Sequence, residues 1–251
     1  MTSDATLASE LAYGAGQVLL GLRRREEPFT GADADAAAND YLLDGLARHR
    51  PDDAVLSEES EDSPARLSAD RVWIIDPLDG TREYTKRDAN GWRTDFAVHV
   101  ALWQRDRGLV AGAVALPARD KVFSTDPAES VPAPSEGPLR LAVSSSRAPA
   151  LVDTIGDLID LVLVPMGSAG VKAMAVVTGA ADAYLHGGGQ YEWDSAAPVA
   201  VAAAAGLHTS RLDGSPLIYN NSNPWLPDLL VCRGEHASRW LTALAQIEGA
   251  R

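Results

Sequence analysis

The run Asp76-Pro77-Leu78-Asp79-Gly80-Thr81 follows an apolar segment, residues 72–75, that predicts a buried strand. Because proline cannot donate to a strand ladder, we expect the sheet to stop at Pro77. Asp76 and Asp79 can then converge on one point, with the carbonyl of Leu78 between them, and such oxygen ligands suit a hard cation such as Mg²⁺. Asp-Pro and Asp-Gly are also ordinary turn dipeptides, so each aspartate taken alone is equally consistent with a structural turn.

A second carboxylate pair, Glu58-Glu59, follows the preceding apolar run at residues 54–56. Four carboxylates at the ends of two consecutive buried strands repel one another, and a bound cation would compensate that repulsion. The spacing therefore favours a metal site at this edge of the sheet, with Glu58 as a third carboxylate ligand beside Asp76 and Asp79.

The residues after the two aspartates indicate a phosphate-binding site. Residues 82–86 can start a helix directly after Gly80-Thr81. The free backbone N–H groups at a helix N-terminus attract phosphate groups. Metal ligands on one side and amide donors on the other would together hold a phosphomonoester.

Three motifs in this order carry a resemblance to a known family: Glu58-Glu59, the run at residues 76–81, and Trp193-Asp194-Ser195-Ala196-Ala197. They look like the signatures of the inositol monophosphatase superfamily. The resemblance implies an α/β (α+β) protein, a layered αβαβα sandwich of the inositol monophosphatase and fructose-1,6-bisphosphatase type. It also implies hydrolysis assisted by two or three Mg²⁺ ions and inhibited by lithium.

The resemblance assigns site residues by position. The implied metal ligands are Glu58, Asp76, the carbonyl of Leu78, Asp79 and Asp194. From the sequence alone, Asp194 is also a good N-cap for the helix that follows it, but the family pattern favours the metal-binding role.

The implied catalytic residues are Thr81, Asp35 and Glu58, with Thr81 and an aspartate at the start of the second helix orienting the attacking water. Asp35 keeps the family's distance to the rest of that helix, whereas Asp33 lies two residues early, so Asp35 is the predicted partner of Thr81 and Asp33 is the alternative. The lysine and the Pro-Val-Thr sequence that lead to this helix in the family are missing here. The loop associated with a third metal is therefore altered.

The residues just after residue 81 divide the subgroups of the superfamily. Arg82-Glu83-Tyr84 resembles the 3'-phosphoadenosine 5'-phosphate phosphatases, which are CysQ-like 3'(2'),5'-bisphosphate nucleotidases linked to sulfate assimilation. The implied substrate is that nucleotide, with 3'-phosphoadenylyl sulfate as a further candidate. Inositol-1-monophosphatase or fructose-1,6-bisphosphatase activity is the alternative, and a catalytically silent metal-binding scaffold is a more remote one. The expected substrate contacts are Gly80, Thr81, Arg82, Ser145, Arg147, Ser168 and Lys172.

The remaining chain predicts the elements that must position these residues. Helical spacing appears at residues 5–22 and 36–48, and period-two alternation predicts a hairpin at 96–102 and 109–114, followed by a strand at 121–124. Residues 126–138 hold four prolines and mark the boundary between a lobe at 1–136, carrying metal-binding carboxylates, and a lobe at 137–251. In the second lobe, strands at 139–143, 159–164, 182–185 and 229–232 alternate with helices near 150–157, 169–178, 194–205 and 236–247.

The composition of the chain limits the classes of molecule that it can bind. The formal net charge is −13, from 35 acidic and 22 basic residues, which argues against a nucleic-acid polymer and leaves a small phosphorylated substrate drawn in by cations. A single cysteine, Cys232, excludes an intramolecular disulfide and favours a reducing compartment.

No signal peptide or membrane-spanning run is apparent, so we expect a cytoplasmic protein. The family resemblance suggests a homodimer. The five histidines show no paired zinc-ligand spacing.

Overall fold

The fold is given by a computed structural model, which describes residues 2–89, 91–134, 136–145 and 151–248. The helices are α1 (Asp4–Arg23), α2 (Gly31–His49), α3 (Thr81–Tyr84), α4 (Leu151–Gly156), α5 (Ala169–Val177), α6 (Glu192–Ala204) and α7 (Ala237–Glu248). The strands are β1 (Ala54–Ser57), β2 (Arg71–Asp79), β3 (Arg87–Asp88), β4 (Gly91–Trp92), β5 (Ala97–Gln104), β6 (Gly108–Leu116), β7 (Lys121–Ser124), β8 (Leu139–Ser144), β9 (Leu161–Met166), β10 (Ala183–His186), β11 (Gln190–Tyr191), β12 (His208–Ser210), β13 (Trp225–Leu226) and β14 (Leu229–Cys232).

Two five-stranded sheets form the frame. The first has the order β1-β2-β5-β6-β7, with β1 parallel to β2 and the other neighbours antiparallel. The second has the order β12-β14-β10-β8-β9, in which β10, β8 and β9 are parallel and β14 runs against β10 and β12. The pair β11 and β13 makes a separate two-stranded ribbon.

Helices fill three layers around these sheets. The apolar faces of α1 and α2 pack on the first sheet, through residues such as Leu11 and Leu42. Helices α5 and α6 lie between the two sheets in a continuous core that includes Met174 and Val201. Helices α4 and α7 cover the outer face of the second sheet, where Trp240 is fully buried. The order is therefore helix, sheet, helix, sheet, helix, and the predicted αβαβα sandwich is confirmed.

Strand β2 continues past the point where the sequence suggested that it would stop. Asp76 pairs with His99 and Asp79 pairs with Ala97, and the register shifts between these two pairs. Pro77 lies inside this bulge, where a strand tolerates the loss of a ladder hydrogen bond. The prediction that the sheet ends at Pro77 is wrong, and the bulge keeps both aspartates on one strand.

Most other predicted elements are found with small shifts of their ends. Helix α2 starts at Gly31 rather than at residue 36, because Thr30 and Asp33 form a capping box across its first turn. Strand β9 lies two residues later than expected. The hairpin β5–β6 and the strands β7 and β14 lie where the alternation places them.

Every strand of the first sheet lies before residue 125 and every strand of the second lies after residue 138. The division into lobes at residue 136 stays a prediction. Within the described ranges, no helix is long and apolar enough to cross a membrane.

Candidate active site

Three carboxylates meet at the C-terminal end of β2. Atoms of Asp76, Asp79 and Asp194 that could bind a metal all lie within 4.8 Å of one another. The bulge in β2 presents the first two, and the start of α6 brings the third from the other side of the molecule. The structure thus brings together three of the four carboxylates that the resemblance assigns to metal.

Asp76 is fully buried, and only one of its two carboxylate oxygens accepts a hydrogen bond from the described residues. Its Oδ1 accepts a hydrogen bond from the Leu78 N–H at 3.0 Å. Its Oδ2 is buried without a hydrogen-bond partner among the described residues. Burial and then the charges of Glu58 and Asp79 raise the pKa of Asp76 well above its usual value. An unpartnered buried carboxylate oxygen beside other carboxylates is the arrangement that a hard cation satisfies.

Asp79 has the opposite environment, because donors surround it. Its oxygens accept from the Ser168 hydroxyl, from the Ala169 N–H at 3.1 Å and from the Gly170 N–H at 2.6 Å. The His99 Nε2 lies 3.3 Å from its Oδ2. Burial would raise the pKa of Asp79, but His99, the Lys172 charge and the Ser168 hydroxyl outweigh that effect and hold it below its usual range.

Asp194 lies on the first turn of α6. It is not the N-cap, which was the alternative role, because the helix begins two residues earlier; its Oδ2 accepts the Tyr191 N–H at 2.6 Å. Burial and then the charge of Asp79 raise the pKa of Asp194 to about 6. The helix start therefore fixes one oxygen and turns the carboxylate toward Asp76 and Asp79.

Glu58 follows β1 and stands beside the end of β2, with its N–H 3.4 Å from the Ile75 carbonyl. Its side chain is exposed to the cleft, yet its carboxylate is partly shielded from water. This shielding, and then the charge of Asp194, raise the pKa of Glu58 to about 7. Glu58 lies outside the 4.8 Å group but belongs to the same electrostatic cluster.

The structure resolves the choice between the two aspartates of α2. The Thr81 hydroxyl lies 3.2 Å from Asp35 Oδ1 and 3.1 Å from the Leu78 carbonyl. Asp33 instead accepts from the Thr30 N–H and hydroxyl, both at 2.7 Å, and caps the helix. Burial and then the charge of Glu59 raise the pKa of Asp35 to about 6. Asp35 is therefore the aspartate that meets Thr81.

A cleft of 810 Å³ has Glu58, Asp79, Gly80 and Asp194 in its lining, and these four residues are called here the carboxylate end. The glycines 187–189 and the aromatic residues Tyr184, Tyr191 and Trp225 also line it and are called the aromatic end. The two groups adjoin where the Tyr191 N–H donates to Asp194 Oδ2. A volume of this size is within the range of small-molecule sites.

The predicted substrate contacts differ in where they lie. Lys172 lines the cleft and donates to the Ser168 carbonyl at 2.5 Å, so the ammonium keeps further donors. The Ser168 hydroxyl donates to Asp79 and accepts the Val171 N–H at 3.1 Å, so it positions Asp79. Arg82 is exposed on α3 and Ser145 is exposed after β8, and neither is among the residues that line the cleft. Arg147 lies outside the described residues.

His99 is the site residue that the sequence reasoning missed. It is fully buried in β5 opposite Asp76, and its Nδ1 donates to the Trp193 carbonyl at 3.1 Å. A Cβ at position 170 would overlap the His99 ring, so Gly170 lets α5 approach both His99 and Asp79. The available signal was a polar residue in the middle of an apolar strand that neighbours the carboxylate strand.

The comparisons with known proteins agree with this geometry. A model of the inositol monophosphatase family matches residues 4–248, and the chain belongs to that family. It is 50% identical to the 3'-phosphoadenosine 5'-phosphate phosphatase of Mycobacterium leprae (strain TN), over 98% of this chain and 94% of the relative. It is 34% identical to the 3'(2'),5'-bisphosphate nucleotidase CysQ of Escherichia coli (strain K12), over 86% of this chain and 94% of the relative.

Solved structures show the same architecture. The crystal structure of CysQ from Bacteroides thetaiotaomicron, a bacterial member of the family, superimposes with a TM-score of 0.78 at 27% identity. The match covers 92% of this chain and 97% of that one. The predicted resemblance is therefore confirmed at the level of the family.

Proposed function

We propose that this protein is a metal-dependent phosphomonoesterase that removes the 3'-phosphate from 3'-phosphoadenosine 5'-phosphate. The observation that carries the proposal is the convergence of Asp76, Asp79 and Asp194 within 4.8 Å at one end of an 810 Å³ cleft. The names of the relatives at 50% and 34% identity supply the substrate.

The residues present fit a divalent cation, and we propose Mg²⁺. Asp76, Asp79, Asp194 and the Leu78 carbonyl, with Glu58 beside them, would hold it through hard oxygen ligands. Such a cation would supply positive charge to the phosphate oxygens and to the departing ester oxygen. The unpartnered Oδ2 of Asp76 and the raised pKa values around it support this assignment.

Thr81 and Asp35 supply the proton chemistry in this proposal. The Thr81 hydroxyl can pass its proton to Asp35 Oδ1 while taking one from the water that attacks phosphorus. The Leu78 carbonyl, 3.1 Å from the same hydroxyl, is the alternative acceptor of its single proton. A pKa of about 6 keeps Asp35 ionised at neutral pH and close enough to that pH to accept a proton.

Lys172 is our candidate for the second phosphate of the nucleotide. Its ammonium group is buried in the cleft near Asp79, and it offers a positive charge in a strongly acidic protein. The proposed roles of Gly80 and Arg82 in binding the substrate rest on the family resemblance, as does that of Ser145.

Three further features are proposed on the resemblance and the composition. These are the identity of the cation as Mg²⁺, a homodimer, and a cytoplasmic location consistent with one free buried cysteine. Sedimentation of the purified chain tests the dimer, and a monomer at micromolar concentration would contradict it.

A direct test compares the turnover of three esters with Mg²⁺: 3'-phosphoadenosine 5'-phosphate, inositol 1-phosphate and fructose 1,6-bisphosphate. Each is measured with and without lithium and with a chelator. We expect the nucleotide to be hydrolysed fastest and the activity to disappear with chelator. A wide preference for inositol 1-phosphate would overturn the nucleotide assignment, and no turnover of any ester would indicate a silent scaffold.

A further inference from the structure

The aromatic end of the cleft includes the ribbon of β11 and β13, whose Tyr191 N–H donates to Asp194 Oδ2 at 2.6 Å. Tyr191 pairs directly with Trp225 across this ribbon, and the two side chains are 46% and 47% exposed. Both residues line the same cleft as Asp79 and Asp194. A large aromatic surface is therefore presented in the cavity that holds the proposed metal site.

Main-chain hydrogen bonds hold this ribbon in place. The Gly189 N–H donates to the Pro227 carbonyl at 2.9 Å, and the Glu192 N–H donates to the Pro224 carbonyl at 2.8 Å. These bonds lie on either side of the pair formed by Tyr191 and Trp225. The backbone that carries Trp225 is thus held in place by hydrogen bonds on both sides of the residue.

Gly189 also leaves room for the indole. Its φ is +80°, and a Cβ there would lie 2.7 Å from both Nε1 and Cζ2 of Trp225. These two atoms belong to one edge of the ring system, so the edge of Trp225 rests against the glycine. The contact supports the ring by its edge and does not cover its faces.

The two exposed aromatic residues differ in whether another ring stacks on them. The ring of Tyr191 stacks on Trp193, with 4.7 Å between the ring centroids and 10° between the ring planes. One face of Tyr191 is therefore occupied by the residue next to Asp194. Trp225 has no stacked ring partner among the described residues, so it can offer a face to a ligand in the cleft.

We propose that Trp225 stacks on the base of the substrate and thereby selects a nucleotide over other phosphate esters. The inference rests on the proposed function, because it assumes that the ester lies at Asp76, Asp79 and Asp194. Stacking suits this site because every nucleobase has a flat π-face and an indole matches it without a charge. The glycines 187–189 beside the ring leave space for the base.

The test uses Trp225→Ala, Trp225→Phe and, as a control, Tyr13→Ala, whose side chain is 50% exposed on α1. KM and kcat are measured for 3'-phosphoadenosine 5'-phosphate and for inositol 1-phosphate. We expect Trp225→Ala to raise KM for the nucleotide between about five- and 150-fold, the range of base stacking on an aromatic side chain. We expect Trp225→Phe to recover most of the loss and Tyr13→Ala to change nothing.

A binding measurement separates the two proposals. Calorimetry with adenosine 5'-monophosphate and ribose 5-phosphate, in chelator, compares a ligand with a base and a ligand without one. We expect Trp225→Ala to weaken only the adenosine ligand. Equal affinity of wild type and Trp225→Ala for adenosine 5'-monophosphate would overturn the inference even if the wild type hydrolyses the nucleotide. If the wild type hydrolyses inositol 1-phosphate but not the nucleotide, the proposed function fails instead.

Discussion

The two ends of the cleft are built in different ways. At the carboxylate end, oxygens of Asp76, Asp79 and Asp194 are each fixed by backbone N–H groups between 2.6 and 3.1 Å away. At the aromatic end, Trp225 is supported along its edge and keeps 47% of its surface exposed. Phosphoryl chemistry needs atoms at fixed positions, whereas stacking needs only a flat surface. The first end accordingly carries a sequence motif and the second does not.

The carboxylate end contains a contrast of its own. Asp76 keeps a buried oxygen without a partner, and its pKa is raised, whereas Asp79 is surrounded by donors and its pKa is lowered. The two residues are three positions apart on one strand, so their environments and not their sequence context set the difference. Substitutions at these two positions should therefore have different consequences for stability.

The largest effect is expected for Asp76→Asn. Loss of a residue that only supports a metal ligand costs about 10- to 100-fold, so loss of the ligand itself should lower kcat/KM by more than about 100-fold for every ester. In chelator its Tm should not fall, because the raised pKa of Asp76 favours the neutral acid there and asparagine is a neutral group of the same shape. Asp182→Asn is the matched control. Asp182 is also buried, but it lies away from the site, and its Oδ1 is 2.9 Å from the Arg140 guanidinium. It should lose stability and keep activity.

Asp79→Asn should lose both activity and stability. The asparagine amide would place a donor where Ser168, Ala169 and Gly170 all donate. Leaving buried donors unsatisfied costs about 1–3 kcal/mol, and each kcal/mol lowers Tm by about 2–4 °C in a protein of this size. Thermal unfolding of both variants in chelator checks this. A Tm for Asp79→Asn equal to that of Asp76→Asn would contradict the contrast.

The pair Asp35 and Asp33 offers a third comparison on one helix. Asp35→Asn should lower kcat by about 10²- to 10⁴-fold, the usual contribution of a general base. Asp33→Asn should leave kcat unchanged and cost about 1 kcal/mol or less, because it weakens only the capping box with Thr30. Single-turnover rates and thermal unfolding give both numbers. A comparable loss of kcat in the two variants would remove Asp35 from the proton path.

The smallest effect is expected at the aromatic end. Gly189→Ala should strain a backbone with φ of +80° and push the Trp225 indole aside, so KM for the nucleotide should rise, by less than in Trp225→Ala. Gly206→Ala is the matched control, because φ there is +82° and a Cβ would meet nothing within 4 Å. Both variants should lose about 1–2 kcal/mol of stability. An equal rise of KM in both would mean that strain alone explains it.

The sequence was most informative where local chemistry determines structure. Apolar runs that end in carboxylates predicted β1 and β2, and the motif at residues 76–81 led to the family and to the layered fold. The family's spacing favoured Asp35 over Asp33 as the partner of Thr81. Only the structure shows the contact itself, because the 3.2 Å approach joins residues that lie 46 positions apart in sequence.

Other features depend on contacts between distant segments and had no sequence signal. The bulge that carries β2 past Pro77 depends on the register with β5. The hydroxyl of Ser168 is turned to Asp79 because α5 begins against the end of β2. The aromatic end is assembled from residues near 190 and 225, and only the pairing of two-residue strands brings them together.

The most direct test of the account is the effect of Mg²⁺ on thermal unfolding, without substrate, for wild type, Asp76→Asn and Asp182→Asn. At ten times Kd, a cation that binds only the folded state adds about 1.4 kcal/mol, or about 3–6 °C in Tm. We predict a saturating rise of this size for wild type and Asp182→Asn and a much smaller one for Asp76→Asn. An unchanged Tm in wild type, or the same rise in Asp76→Asn, would contradict the assignment of these carboxylates to a metal site.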